Sequence, residues 1–347
     1  MAPVKRIKTV AQGQALELGN NVEEFLHHLA MPACLLLEGH DNTRTRAMVT
    51  LLHGNEPSGA IALHRWLASG QRPLVNVVCI IAAVTAALEP PVFSHRMLPR
   101  ARDLNRCFGP PVDDAQGELA QEILAVLRTY RPESIIDVHN TSGSGPAFGV
   151  CTFAHPQHEA LASLFTQRLI VADLGLGALM EISGPRCPAV TIEVGGRLDD
   201  AAHALAYEGL CRYFQQDDVL QLPAGDWGME LLHNPVRLEL KEHVTLTYAE
   251  QPQADYDLTL RADIEHLNFG TVHADTLLGW AQTAAAVDVF TAIDAGGRCA
   301  VSRLVRIEQG RVYAAQSLRL FMITTNPDIA HTDCLLYAVA DDGAEIR

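Results

Sequence analysis

The sequence predicts an α/β protein: a mixed, mainly parallel sheet flanked by helices, followed by a smaller β-rich region. Two observations carry this. Up to about residue 220, short apolar runs bounded by turn residues alternate with segments of helical periodicity. Such alternation indicates βαβ units and a largely parallel sheet. Beyond that point Val236, Leu238 and Leu240 alternate with Arg237, Glu239 and Lys241, and Val244, Leu246 and Tyr248 continue the period of two. A period of two marks half-exposed, antiparallel strands. The boundary is expected within residues 220–226, where Pro223 and Gly225 interrupt the pattern, giving domains 1–220 and 221–347.

The elements follow in order. Residues 1–45 are weakly patterned, with a short helix over 22–29 and a strand over 33–37. Residues 47–52 form a short apolar run that ends in the polar turn His53-Gly54-Asn55-Glu56, which reads as a buried strand. Pro57 suits the first turn of a helix over 57–68, because its missing N–H has no partner there anyway. Residues 75–83 read as a second buried strand, and 90–106 as an Arg-rich loop with Pro90, Pro91 and Pro99. A helix is expected over 115–130 and a third strand over 134–138, ending at His139. A further strand over 147–153, a helix over 157–170, a strand over 190–194 and a helix over 199–213 complete the first region.

Composition narrows the function. With 48% hydrophobic and 19% charged residues, a large core forms. The formal net charge of −15 argues against nucleic acid and against an anionic membrane surface as partners. No apolar run reaches the ~20 residues that span a bilayer, and Met1 to Gln14 contain no apolar core of a secretory signal. The eight Cys include no C-x-x-C pair and lie mostly in apolar segments, so they read as reduced thiols of a cytoplasmic protein.

Four places carry chemistry. His53 and Glu56 offer an imidazole nitrogen and a carboxylate from one turn outside a strand's carboxyl end, where open α/β sheets bind ligands. Zinc accepts both donor types, and a catalytic zinc commonly takes two His and one Glu. His139 ends another apolar strand and supplies the second imidazole, with Asp137 two residues back as an acceptor for its ring N–H. Glu193 follows an apolar strand and opens onto Gly195-Gly196, a placement suited to a carboxylate that moves protons. Finally, four Arg within residues 96–106 reverse the local charge of an acidic protein. Arg106 with Asn105 suits the anchoring of a substrate carboxylate, and Arg100 or Arg102 adds charge for a second anion. Each feature alone also has a bland explanation: a capped turn His, a strand-end acid, a solvated basic loop.

Taken together and in this order, His53-Gly-Asn-Glu56, Asp103-Leu-Asn105-Arg106-x-Phe108, His139 and Ile-Glu193-Val-Gly resemble the succinylglutamate desuccinylase/aspartoacylase family. The likeness covers roughly residues 45–215. It implies a zinc carboxypeptidase-like fold and one zinc ion per chain, held by His53, Glu56 and His139. It makes Glu193 the general base and acid, and Asn105 and Arg106 binders of a substrate carboxylate. The family places a further Arg shortly before the Asp-Leu-Asn-Arg run; Arg96, Arg100 and Arg102 all compete for that role, as Tyr313 and Tyr337 do for a late Tyr.

The implied activity is hydrolysis of a small anionic N-acyl amino acid, and a homo-oligomer is allowed. Two alternatives stand beside it. A zinc carboxypeptidase would use the same four motifs and is separated by whether the pocket admits a peptide. A non-catalytic metal-binding relative would have no need of Glu193.

Overall fold

The computed structural model describes residues 6–11, 14, 16–141, 143, 145–173, 175–222, 228–294, 296–332 and 334–341. Pro223 and Gly225, at the expected domain boundary, lie outside them, as does the beginning of the N-terminal segment read for a signal. The chain divides into two compact units. The first holds most of the chain up to Glu230, and the second takes 231–347 with the short segments 141–146 and 170–172.

In chain order the first unit contains β1 (Lys8–Val10), α1 (Val22–Leu29), β2 (Ala33–Leu37), β3 (Asp41–Thr50), α2 (Ser58–Ala68), β4 (Val75–Ile81) and α3 (Val84–Leu88). After a 3-10 turn at Leu104–Arg106 come α4 (Ala115–Tyr130), β5 (Ile135–Thr141), β6 (Phe148–Cys151), α5 (Pro156–Ser163), β7 (Arg168–Val171), β8 (Ala189–Gly196) and α6 (Asp200–Gln215). The strands of the first unit run β1-β2-β4-β3-β5-β8-β6-β7 across the sheet. β3 is parallel to both β4 and β5, while β2 against β4 and β6 against β8 are antiparallel.

Helices cover both faces, which is why the inner strands are apolar without alternation. Ala47 and Val49 of β3, with Val78 and Ile80 of β4, pack in one cluster with Leu119, Ile123 and Leu127 of α4. Residues between them face the other layer. Arg46, fully buried, donates to the Tyr213, Gln216 and Asp217 carbonyls at the end of α6 and to Glu133 Oε1. The Tyr213 carbonyl is one of those a helix C-terminus leaves without a partner. α2 lies against α6 through Trp66 and Phe214, whose rings meet edge-on at 5.0 Å.

Three expectations change. The helix expected over 157–170 stops at Ser163, and residues 168–171 form β7. Leu169, Ile170 and Val171 satisfy a helical pattern, but a short β-branched apolar run is equally a strand, and tertiary pairing decides between them. β3 begins at Asp41, six residues before the apolar run, because its polar first half pairs with β4 from Asp41↔Val75 onward. His139 lies inside β5 rather than beyond its end.

The second unit is β-rich, as the period of two implies, with two five-stranded sheets. One joins Thr271–Val272, Leu318–Phe321, Leu336–Ala340, Val236–Leu240 and Phe290–Thr291. The other joins Leu246–Ala249, Leu258–Arg261, Leu277–Ala281, Arg311–Ala314 and Val305–Glu308. Pairing is antiparallel apart from Leu246–Ala249 alongside Leu258–Arg261, which is parallel.

The turn after β3 leaves no room for a side chain at Gly54. A Cβ there would lie 2.6 Å from Ala87 N, 2.7 Å from the Ala86 carbonyl carbon and 2.7 Å from His95 O. All three are backbone atoms, so neither α3 nor the loop yields cheaply. Gly54→Ala is expected to lower the unfolding free energy by about 1–3 kcal/mol, the usual cost of overpacking. Urea titration measures this, and an unchanged midpoint would show that the turn has slack.

Candidate metal centre

β3 and β5 are neighbours with Thr50 opposite Val138, so their carboxyl ends lie side by side. β3 ends at Thr50, and at Leu51, with φ of 53°, the chain turns into the His53–Glu56 segment before α2. His139 follows Val138 on the adjacent strand. The result is a buried cluster: His53, Glu56 and His139 present ligand atoms that all lie within 4.8 Å of one another. Glu56 Oε1 sits 2.8 Å from His53 Nδ1, and its Oε2 sits 2.7 Å from His139 Nδ1. The two imidazoles meet edge-on at 5.1 Å.

Each ring is held from behind by a second carboxylate. His139 Nε2 is 2.7 Å from Asp137 Oδ2, an acceptor expected from the sequence because residues two apart share a strand face. His53 Nε2 is 2.9 Å from Asp103 Oδ1. Asp103 does more than this. Its Oδ1 accepts from Asn105 N at 2.8 Å, capping the 3-10 turn, and its Oδ2 accepts from Arg96 Nη2 at 2.8 Å and Nε at 3.1 Å. Arg96 Nη1 then reaches Glu56 Oε1 at 3.5 Å.

The donor set fits a cation. With Nε2–H of each ring given to an Asp, each Nδ1 lone pair points at a Glu56 oxygen. Two lone pairs facing a buried carboxylate repel unless a positive charge lies between them. Without a metal, a proton on each Nδ1 can take that place. Burial opposes the imidazolium forms, but Glu56 and the two Asp outweigh it, raising His53 and taking His139 well above its ordinary value. Glu56 resists its own burial through the same two rings and stays well below the usual carboxylate range. A metal ion bound to Nδ1 of both rings and to Glu56 would displace those protons.

Glu193, in β8 opposite Phe148 of β6, lies within the field of this cluster. Its Oε2 is shut off from solvent and has no hydrogen-bond partner among the described residues. Desolvation pushes its carboxyl up to about 7, against the opposing charge of His139 and with that of Glu56. A half-buried acid poised near neutrality is suited to proton transfer.

The Arg-rich loop divides its labour. Asn105 is buried, and its Oδ1 accepts from Leu179 N at 2.9 Å, which fixes the carboxamide. Arg106 is half-buried, and its Nη1 donates to Asn105 O at 2.9 Å. Arg102 is turned to the start of α4, forked on Asp114 at 2.5 and 2.8 Å and on Pro111 O. Arg100 is exposed, with φ of 68°. Of the three competing Arg, Arg96 is the one that touches Glu56. Tyr313 and Tyr337 belong to the second unit, where Tyr313 stacks under Arg306 and Tyr337 on Phe321. The role of Asp103 was not foreseen, and Arg96 was one of three Arg competing for one place; the Asp-x-Asn turn signature was the available clue to Asp103.

A helix-covered, mainly parallel sheet with a His–Glu–His cluster near the carboxyl ends of two strands defines an α/β protein in which His53, Glu56 and His139 could hold a metal ion, with the Glu193 carboxyl nearby. Residues 42–206 match the model of the succinylglutamate desuccinylase/aspartoacylase catalytic domain. The fold is like that of solved succinylglutamate desuccinylases. Solved structures agree on that fold at low identity. Succinylglutamate desuccinylase from Vibrio parahaemolyticus aligns with a TM-score of 0.54 at 13% identity, over 93% of this chain and 95% of that one. Succinylglutamate desuccinylase from Vibrio cholerae gives 0.52 at 16%, over 92% and 98%. The product-bound ectoine utilization protein EutE from Ruegeria pomeroyi gives 0.52 at 16%, over 81% and 86%. No curated protein matches the sequence. Among the described residues no helix is long and apolar enough to cross a membrane.

Proposed function

We propose that the protein is a zinc-dependent amidohydrolase that removes the acyl group from a small N-acyl amino acid. The observation that carries this is the convergence of His53 Nδ1 and His139 Nδ1 on the two oxygens of Glu56, with Glu193 beside them. In this reading His53, Glu56 and His139 hold one zinc ion, the usual choice for such a donor set. The ion supplies Lewis acidity and makes water a usable nucleophile near neutral pH. Glu193 takes the proton of the attacking water and delivers it to the leaving nitrogen.

Arg106 and Asn105 bind the carboxylate of the amino acid and thereby set the position of the scissile carbonyl. Arg96, steadied by Asp103, supplies the second positive charge, in preference to Arg100 or Arg102. Asp103 and Asp137 keep the two imidazoles in the tautomer that leaves Nδ1 free for the metal.

The test is metal analysis followed by hydrolysis assays. About one zinc per chain is expected, with release of free amino acid from a panel of N-acyl amino acids and loss of that activity on chelation. Zinc-loaded protein that hydrolyses none of the panel would overturn the reading.

A further inference from the structure

We propose that Asn140 is a positioning residue: its buried carboxamide locks together the three elements that carry His139, Glu56 and Glu193. The inference rests on the proposed function and extends it to a residue that touches neither metal nor substrate.

The carboxamide is 3% exposed, and every hydrogen it has to give is engaged. Oδ1 accepts from Ser58 N at 3.0 Å. Nδ2 donates to Ser58 Oγ at 2.7 Å and to Gly195 O at 2.9 Å. Ser58 lies two residues beyond Glu56, and Gly195 lies two residues beyond Glu193. Asn140 itself follows His139. One side chain thus reaches the chain beside all three functional groups, and its own backbone N–H faces Glu56 Oε2 at 3.4 Å.

The bond to Ser58 N has a specific purpose. A helix begins with amide groups that have no partner within it, and a local side chain usually caps them. α2 begins after Pro57, which offers no side-chain cap. Asn140 supplies the cap from the neighbouring strand, so the start of α2, and Glu56 with it, is registered against β5 instead of against itself. The bond to Gly195 does the same for β8. Gly195 has φ of 114°, a conformation that favours glycine, and in it the carbonyl meets the Asn140 amide. The chain of bonds continues outward. Ser58 Oγ, which accepts from Asn140, also lies 2.7 Å from His203 Nδ1, a hydrogen bond that ties in α6.

This is unlike ordinary core packing. α2 is also anchored by Leu63 and Trp66, both buried. What depends on Asn140 is the fine register of three side chains, for which displacements well under 1 Å matter.

The test compares Asn140→Ala, Asn140→Asp and Ser58→Ala with the wild type, using Co(II) in place of zinc. Readouts are Co(II) affinity by chelator competition, the visible spectrum of the bound ion, kcat and KM on an N-acyl amino acid, and thermal melting. Asn140→Ala is expected to weaken Co(II) binding by roughly 10–100-fold, as loss of outer partners of metal ligands does. The visible bands should shift, and kcat should fall with little change in KM.

Asn140→Asp keeps the shape but turns donors into acceptors facing Gly195 O and Ser58 Oγ, and should not rescue. Ser58→Ala removes one of the three bonds and should fall between wild type and Asn140→Ala. Unchanged affinity and spectrum in Asn140→Ala overturn the proposal. If that variant does not fold, Ser58→Ala decides, and wild-type affinity and spectrum there overturn it. Wild-type protein that binds Co(II) but hydrolyses no N-acyl amino acid overturns the proposed function alone; failure to bind Co(II) overturns both.

Discussion

Replacing Glu193 by Gln is expected to leave metal binding intact and to lower turnover by about 10²–10⁴-fold, the usual contribution of a general acid–base group. The substitution keeps the shape of the side chain and removes its ability to take a proton. Glu193 is not among the three residues whose donor atoms cluster, so the ion should be retained. Its Oε2 has no hydrogen-bond partner among the described residues, so a neutral amide disturbs little there. Metal content and single-turnover rates measured on the same preparation separate the two effects. Near-normal turnover in the variant would mean that another residue carries the proton.

The second large effect concerns the substrate. Small amides have too little apolar surface to be held by burial, so a charged handle must orient them. Converting the free carboxylate of an N-acyl amino acid to its methyl amide is expected to lower kcat/KM by roughly 10⁴–10⁵-fold, because a site built for a polar group rejects the analogue that leaves its own groups unpaired. Arg106→Ala should lower kcat and raise KM together, since the anchor both holds the ligand and places its carbonyl. Paired kinetics on the acid and the amide decide the matter. Equal values for the two would sink the anchor and leave Arg106 as a structural residue that donates to Asn105 O.

Much of this was legible in the chain. The alternation of apolar runs and helical segments marked the parallel sheet, and the later period of two marked the β-rich unit. Where a run was short and β-branched, as at residues 168–171, the helical and strand patterns coincide and the reading failed. The cluster was legible for a similar reason. His53 and Glu56 share one turn, and His139 interrupts an apolar strand, so local pattern alone exposes them.

The sequence by itself determined which residues stand near the carboxyl ends of strands, because that depends on the spacing of apolar and turn residues along a few consecutive positions. It did not determine the ends themselves, because His139 and Glu193 lie inside β5 and β8. Only the tertiary structure decided what those residues meet. Asp103 reaches His53 across 50 positions, Arg96 reaches Glu56 across 40, and Asn140 reaches Ser58 across 82. Of three neighbouring Arg with the same charge, one went to the cluster and one to the start of α4. Local periodicity carries no information about such pairings; they are set when buried polar groups, which cannot be left unpaired, find partners brought close by the packing of the sheet and its helices.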